Sequence, residues 1–402
     1  MRSGSCAIPR LALISVGFHD RGTDSRRLPN SNVQRRARSS VNLDSSAASL
    51  RPLAPALDVY RSLAIGERNP ARLKDSSRIG TTMKANHFMF PLLVLLFCVP
   101  VVSAQNFTVS QTGVFRPQNK KVLLLKDPTS QKKIILFQTK LRVNTDGSPL
   151  SYHPQDPRGR DKALNNICNA IVVKKDGSDA NLCLTRFGEA ISVFERFRDS
   201  NFQTVPPGFR ITFANVLATV KVNGKDVPCV FQSGDFKGFF GSLTALKNGL
   251  TSGLGECEIN NQVNPMTVPA LVLVGGANVV KDFGAKVGDL LVAFNPKTQR
   301  FSSAIIGDTG PRDNLGEGSV LLNMRLLGTT TPPTNKTETF RLSIEDTQVL
   351  VAIIPASRSF HESKPFTAEN INQRVRDWQR ESGFDTPEKF IELLKSIQPR
   401  LR

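Results

Sequence analysis

Histidine, tyrosine and tryptophan are scarce: 402 residues include four His, two Tyr and one Trp. Beyond residue 104 only His153 and His361 remain, too few for a His-rich metal centre. Cysteine is sparse too. No Cys-x-x-Cys pair occurs among the six, which argues against a zinc site. No apolar run reaches the length of a membrane span. The strongest, Phe88 to Val102, is too short for one. No basic cluster or nucleic-acid motif breaks the even spread of Lys and Arg, so nucleic acid is not an expected partner.

That short apolar run has the grammar of an export signal. Met83-Lys84 opens it with a charge, and Val102-Ser103-Ala104 supplies small residues before Gln105. Residues 83–104 therefore read as a signal peptide cleaved after Ala104. The mature protein is expected to be secreted, extracellular or periplasmic, with no stable membrane insertion. Residues 1–82 fit this poorly. They hold 13 Arg and one Lys against six acids, without sustained periodicity, and read as a non-native or disordered extension. In the expected mature chain, Cys168, Cys183, Cys229 and Cys257 suggest two disulfides, with three pairings possible. Of the +19 formal charge, +10 belongs to residues 105–402, a weak pull towards anionic partners.

The chain reads as mainly β. Residues 105–120 look like an irregular polar lead-in, followed by strands at Val122–Leu125 and Ile134–Val143 and a turn over Asn144–Pro149. A short strand is expected at Ile171–Val173. Phe187, Ile191, Phe194 and Phe197 sit at helical spacing. Asn223-Gly224 between alternating runs predicts a type I′ hairpin over 219–231. A helical turn is expected at Ser242–Lys247 and loop over 248–264. Strands follow at Val268–Val274, Gly288–Phe294 and Phe301–Ile306, with Asp289 as a strand-entry residue. A helix is expected over Glu317–Leu327, a connector over Gly328–Thr337, and strands at Phe340–Ile344 and Val349–Ile354. Residues 357–402 form a helical C-terminal extension, with one helix within 366–380. A second is capped by Asp385, with Phe390, Leu393, Leu394 and Ile397 on its apolar face.

The chemistry-bearing stretch is Ala304 to Ser319. An apolar run ends in Asp308, turn-forming residues follow, and Glu317 lies between two glycines nine positions on. On one helix the two carboxylates would be about 13 Å apart and on opposite sides. On one strand they would be about 30 Å apart. Gly310-Pro311 and Asn314-Leu315-Gly316 instead predict a chain that folds back and brings them closer. Two carboxylates flanking one bond are the equipment of glycoside hydrolysis. Asp308-Thr309-Gly310 also looks like the motif of aspartic proteases. No second copy occurs, so that reading needs a homodimer.

Several separated motifs resemble glycoside hydrolase family 75. They are Thr145–Pro154, Val268–Leu273, Val287–Leu290, Gly307–Pro311, Gly316–Val320 and Val349–Pro355, in that order. The likeness spans roughly 135–356, thins over 180–265 and stops short of the C-terminal extension. It implies a double-psi-like β-barrel catalytic domain over 105–356. It also implies an endo-chitosanase that cleaves β-1,4-linked glucosamine polymers with inversion. The resemblance carries the catalytic pair onto Glu317 as general acid and Asp308 as general base, with Asp146, Tyr152 and His153 as candidate substrate-binding residues in the cleft. It implies no cofactor and no metal, a polysaccharide partner and a monomer. The Phe residues of Gly234–Leu243 are placed either to stack on sugar or to fill core. A barrel that only binds glycan is the other reading beside the protease.

Overall fold

A computed structural model describes residues 106–249 and 253–402. The expected signal peptide and the 1–82 extension lie outside the described residues. Among the described residues, no helix is long and apolar enough to cross a membrane.

Strands β1 (Thr108–Phe115) and β2 (Lys120–Lys126) pair antiparallel. The lead-in expected to be irregular is thus largely a strand. It lies at the end of the sheet and is mostly exposed, so burial imposes little apolar alternation on it. Strand β3 (Lys133–Asn144) pairs with β2 and runs on into the Thr145-Asp146-Gly147 turn. A long excursion follows. It contains β4 (Val172–Lys175), α1 (Leu182–Thr185), α2 (Phe187–Asp199), β5 (Phe209–Thr212), β6 (Thr219–Val222) and β7 (Lys225–Pro228). Strands β4 and β5 pair with each other, as do β6 and β7. Asn223 and Gly224 have φ of 50° and 76°, as a type I′ turn requires.

This excursion has its own core, built on Tyr152, Ile171, Phe194 and Phe240. Two cysteine pairs at disulfide distance, Cys168–Cys183 and Cys229–Cys257, staple it. Of the three possible pairings, this is the one that joins the first cysteine to the second and the third to the fourth. The 242–247 segment is not the helical turn expected. It is non-helical, bridging Leu217 through Ser242 and Gln262 through Lys247 with a bend between, and the Leu246 amide bonds the Gly307 carbonyl at 3.0 Å. Packing against the barrel wall overrides a weak local helical preference.

The remaining elements are β8 (Ala270–Leu273), α3 (Val279–Asp282), β9 (Leu290–Asn295), β10 (Arg300–Thr309), β11 (Glu317–Ser319), α4 (Val320–Leu327), α5 (Lys336–Phe340), β12 (Ile344–Ile354), α6 (Ala368–Glu381) and α7 (Pro387–Ile397). Three expectations need correction. Glu317 is not helical: it opens a short strand, and the helix begins at Val320, where the Ser319 side chain caps the Leu322 amide at 3.2 Å. Phe340 ends a helix whose N-cap is Asn335, and the two expected closing strands are one, β12, with a register break between Ile344 and Val349. The cap of α7 is Thr386; Asp385, one residue earlier, pairs with Lys389.

Six strands close into a barrel in the order β3-β11-β8-β10-β9-β12, with β12 returning to β3. The β3/β11 and β8/β10 pairs are parallel and the others antiparallel. Alternation along each strand sorts side chains to two sides. Ile135, Phe137, Leu141, Leu271, Leu291, Ala293, Ala304, Ile306 and Val351 form one core inside the barrel. Their neighbours Leu136, Val292, Phe294, Ile305, Leu350 and Ala352 point outward into a second core, shared with Ile371, Val375, Trp378, Phe390 and Leu394 of α6 and α7. The C-terminal helices therefore clad one outer wall of the barrel.

Candidate active site

The register of three strands brings the two carboxylates together. Gly318 of β11 pairs antiparallel with Leu271 of β8, which sets Glu317 level with Val272. Val272 in turn pairs with Asp308 of β10. Asp308, Val272 and Glu317 thus lie in one row across three adjacent strands, roughly 10 Å from end to end at Cα. Leu271 and Ile306 face the interior, so this row faces outward. The parity of β10 shifts at Gly307, where the pairing slips by one residue. Without that bulge Asp308 would point into the apolar interior with Ile306.

Each carboxylate is held from outside its own strand. Asp308 Oδ1 accepts the Ala245 amide at 2.9 Å and the Thr309 amide at 2.8 Å. Glu317 Oε1 accepts Asn314 Nδ2 at 2.7 Å, and Asn314 Oδ1 accepts Gln118 Nε2 at 3.1 Å. Gln118 also takes the Leu315 amide at 3.1 Å. Thr139 bonds the Leu315 carbonyl and accepts Lys120 Nζ at 2.7 Å, which ties this loop to β2 and β3. Gly316 has φ +126°, and a Cβ there would run into the Lys140 carbonyl and the Thr139 side chain. A Cβ on Gly310 would lie 2.7 Å from Val272 Cγ1 and 3.5 Å from Glu317 Oε2, so the Asp308-Thr309-Gly310 backbone passes directly beside the Glu317 carboxylate.

A third carboxylate joins them. Asp146 follows β3, its amide bonded to Asn144 Oδ1 at 2.9 Å. Its Oδ1 accepts the Tyr152 hydroxyl at 2.6 Å, and Asn165 Nδ2 reaches the same hydroxyl at 3.4 Å and Thr145 Oγ1 at 3.1 Å. Asp146, Asn144 and Asp308 line one crevice above Ala270 and Val272, about the size of a water molecule. Gly147 (φ +94°) lets the turn press onto Thr244 and the Val263 carbonyl.

Electrostatics follow from this crowding. Burial pushes Asp308 up to about 6; the Glu317 charge adds to it, while the Thr309 and Ala245 amides and Lys247 oppose it. Asp146 rises to about 7, chiefly through burial, with the Asp308 and Glu317 charges adding and the Tyr152 hydrogen bond opposing. Burial, reinforced by Asp146, holds the Tyr152 phenol well above its usual value. Tyr152 is therefore a permanent donor to Asp146 near neutral pH.

His153 stands apart. Its Nδ1 accepts the Gln155 amide at 3.1 Å, and its ring meets Phe239 edge-on at 4.7 Å. Burial, with help from Lys162, lowers its pKa. Phe240 fills the core of the excursion. Ala245, Lys247, Asn165, Asn314 and Gln118 escaped the sequence reading. All but Asn314 act across more than ten positions of chain, and an isolated amide or lysine carries no local signature. Among the described residues no cluster of His, Cys, Asp and Glu could hold a metal ion. No protein-family model matches the chain, and no curated protein matches it.

Proposed function

We propose that the protein is an inverting polysaccharide hydrolase of the kind found in glycoside hydrolase family 75, acting on β-1,4-linked glucosamine polymers. The observation that carries the proposal is the Asp308–Val272–Glu317 row on an outer barrel wall. Two strand spacings at Cα suit the roughly 6.5–9.5 Å carboxyl separation that leaves room for a water. The six-stranded closed barrel with its two parallel pairs supports a double-psi arrangement.

In this mechanism Asp308 is the general base. A carboxylate with pKa about 6 removes a proton from water better than an ordinary aspartate, yet is ionised at neutral pH. Its Oδ1 is fixed by two amides, leaving Oδ2 for the water. Glu317, oriented by Asn314, protonates the leaving oxygen from across Val272. Asp146 holds the near side of the cleft and, protonated below about pH 7, donates a hydrogen bond to a sugar hydroxyl. The hydrolase reading is favoured over a dimeric protease because Glu317 and Asp146 stand beside Asp308 within one chain, so its carboxylate partners come from the same molecule.

The test is reducing-sugar release from a polysaccharide panel that includes chitosan and partly acetylated chitosan. The wild type is compared with Asp308→Asn and Glu317→Gln. Hydrolysis of chitosan with inversion by NMR, lost in both variants, is the expected result, and the acid limb of kcat/KM should fall near pH 6. Hydrolysis of a different glycan would keep the pair and change the substrate. Glycan binding without turnover in all three proteins would replace the enzyme with a binding barrel.

A further inference from the structure

A second groove lies at the opposite end of β10 from Asp308. Arg300 and Asp308 are eight residues apart on one strand, roughly 26 Å. The groove runs between the start of β10, the end of α4 and the outer side of α6, with a volume of about 630 Å³. Arg300, Arg325 and Arg376 line it, together with Phe301, Thr329 and Asn372, and no acidic residue does. None of the three arginines forms an ion pair among the described residues. Phe301 is one of the few large apolar side chains left exposed, at 36 %.

The chain builds this arrangement deliberately. Gly328 ends α4 in the left-handed region, φ +78°, and a Cβ there would run into the Arg300 guanidinium. Gly328 leaves room for Arg300 to lie against that turn. Asn372 is fixed by Ser303 Oγ at 3.0 Å, which sets the α6 side of the groove. Further along, where the groove meets the start of α7, Asp385 and Glu388 join Arg376 and Arg380 in the lining. The β10–α4 end is the part whose arginines have no acidic residue beside them in the lining.

Three unpaired guanidinium groups around one exposed ring match a sugar chain bearing anionic substituents. Guanidinium is the side chain best shaped for carboxylate and phosphate oxygens, and the apolar face of a pyranose stacks on an aromatic ring. We propose that this groove binds an anionic glycan, carrying carboxylate or phosphate groups, at a site separate from the carboxylate cleft. It would hold the protein on an acidic polysaccharide matrix while the cleft works elsewhere. A cationic glucosamine polymer is excluded from it by charge.

The experiment is titration calorimetry with four hexasaccharide probes: hexagalacturonate, 6-phosphorylated mannohexaose, cellohexaose and the glucosamine hexamer. The Asp308→Asn protein is used, so that no probe is consumed. Saturable binding of one or both anionic probes, absent for cellohexaose, is expected, and which anion binds identifies the charged group; binding of the glucosamine hexamer belongs to the carboxylate cleft and should be unchanged by the arginine substitutions. Arg325→Gln with Arg376→Gln should weaken the anionic binding by at least about tenfold, and Phe301→Ala should weaken it without changing the melting temperature. Anionic probes that bind no better than cellohexaose would overturn the proposal. So would binding untouched by the arginine changes, which would assign it to the general +10 charge. Binding at this groove is read without turnover, so it stands or falls separately from the hydrolase reading.

Discussion

Two outer walls of one barrel face different surroundings, and a single strand runs through both. At Ile305, β10 lies in the core shared with α6 and α7. Three residues later it presents Asp308 to a crevice roofed by loops. The helix-clad wall is dry and apolar, with Val292, Phe294 and Leu350 meeting Trp378, Phe390 and Leu394. A helix spends its backbone donors on itself, so it can cover a wall only with side chains. The non-helical 242–247 and 314–316 segments have free amides and side-chain donors to spend. They cover the other wall while holding carboxylates in place. The bulge at Gly307 is the hinge between the two regimes. The comparison separates what makes the barrel stable from what makes it reactive.

Substitutions on the two walls should therefore fail in opposite ways. Asp308→Asn or Glu317→Gln should lower turnover by about 10³-fold or more, since each removes an acid or a base, with no loss of melting temperature. Phe390→Ala should do the reverse. Phe390 is fully buried, edge-on to Trp378 at 6.2 Å and to Phe384 at 5.0 Å. Its removal should cost about 3–5 kcal/mol, read as a lower urea midpoint, while kcat per folded molecule stays within a factor of about two. A Phe390→Ala protein that keeps its stability and loses kcat would break the division.

The reactive wall should also carry a measurable strain. Asp146 and Asp308 have folded pKa values of about 7 and about 6, above the 3.8 of an ordinary aspartate. Folding therefore takes up protons between about pH 4 and pH 7, and the contribution of both groups to stability falls as the pH rises through that window. Asp146→Asn keeps an acceptor for Tyr152 and removes the charge. It should stabilise the fold at pH 7.5 by on the order of 4 kcal/mol, read as a higher melting temperature, and leave it unchanged near pH 4. A lower melting temperature at pH 7.5 would mean that the ionised carboxylate is itself a structural requirement.

What could be seen in advance divides along the same line. The interior strands were legible because burial on both faces writes continuous apolar runs, as in Leu290–Phe294 and Val349–Ile354. The C-terminal helices were legible from their periodic apolar faces. β1 was not, since an exposed edge strand needs no alternation. Glu317 reads as a helix start because Ser319-Val320-Leu321-Leu322 begins one; only the pairing with β3 and β8 makes residues 317–319 a strand. The residues of the carboxylate pair could be named because a fold-back was written in glycine, proline and asparagine. Their common row could not be read, since it depends on the register of β8, about forty positions away. The involvement of Gln118 rests on a contact spanning nearly two hundred residues.

That long-range contact gives the finest test of how the reactive wall works. Gln118 and Asn314 form a relay that ends on Glu317 Oε1, and Gln118 reaches the row only through Asn314 and the 314–316 loop. If the relay only stabilises the loop, Asn314→Ala should lower the melting temperature and leave kcat alone. If it aims the proton of Glu317, kcat should fall by about tenfold with KM little changed, because only the transition state requires the aim. Asn314→Asp, which keeps the shape but sets a second carboxylate against Glu317, should shift the basic limb of the pH–rate profile. A positioning role requires the kcat loss and the shifted limb together. A stability loss alone would make the 314–316 loop cladding of the same kind as α6 and α7, and the contrast between the walls would then rest on Asp308 and its bulge.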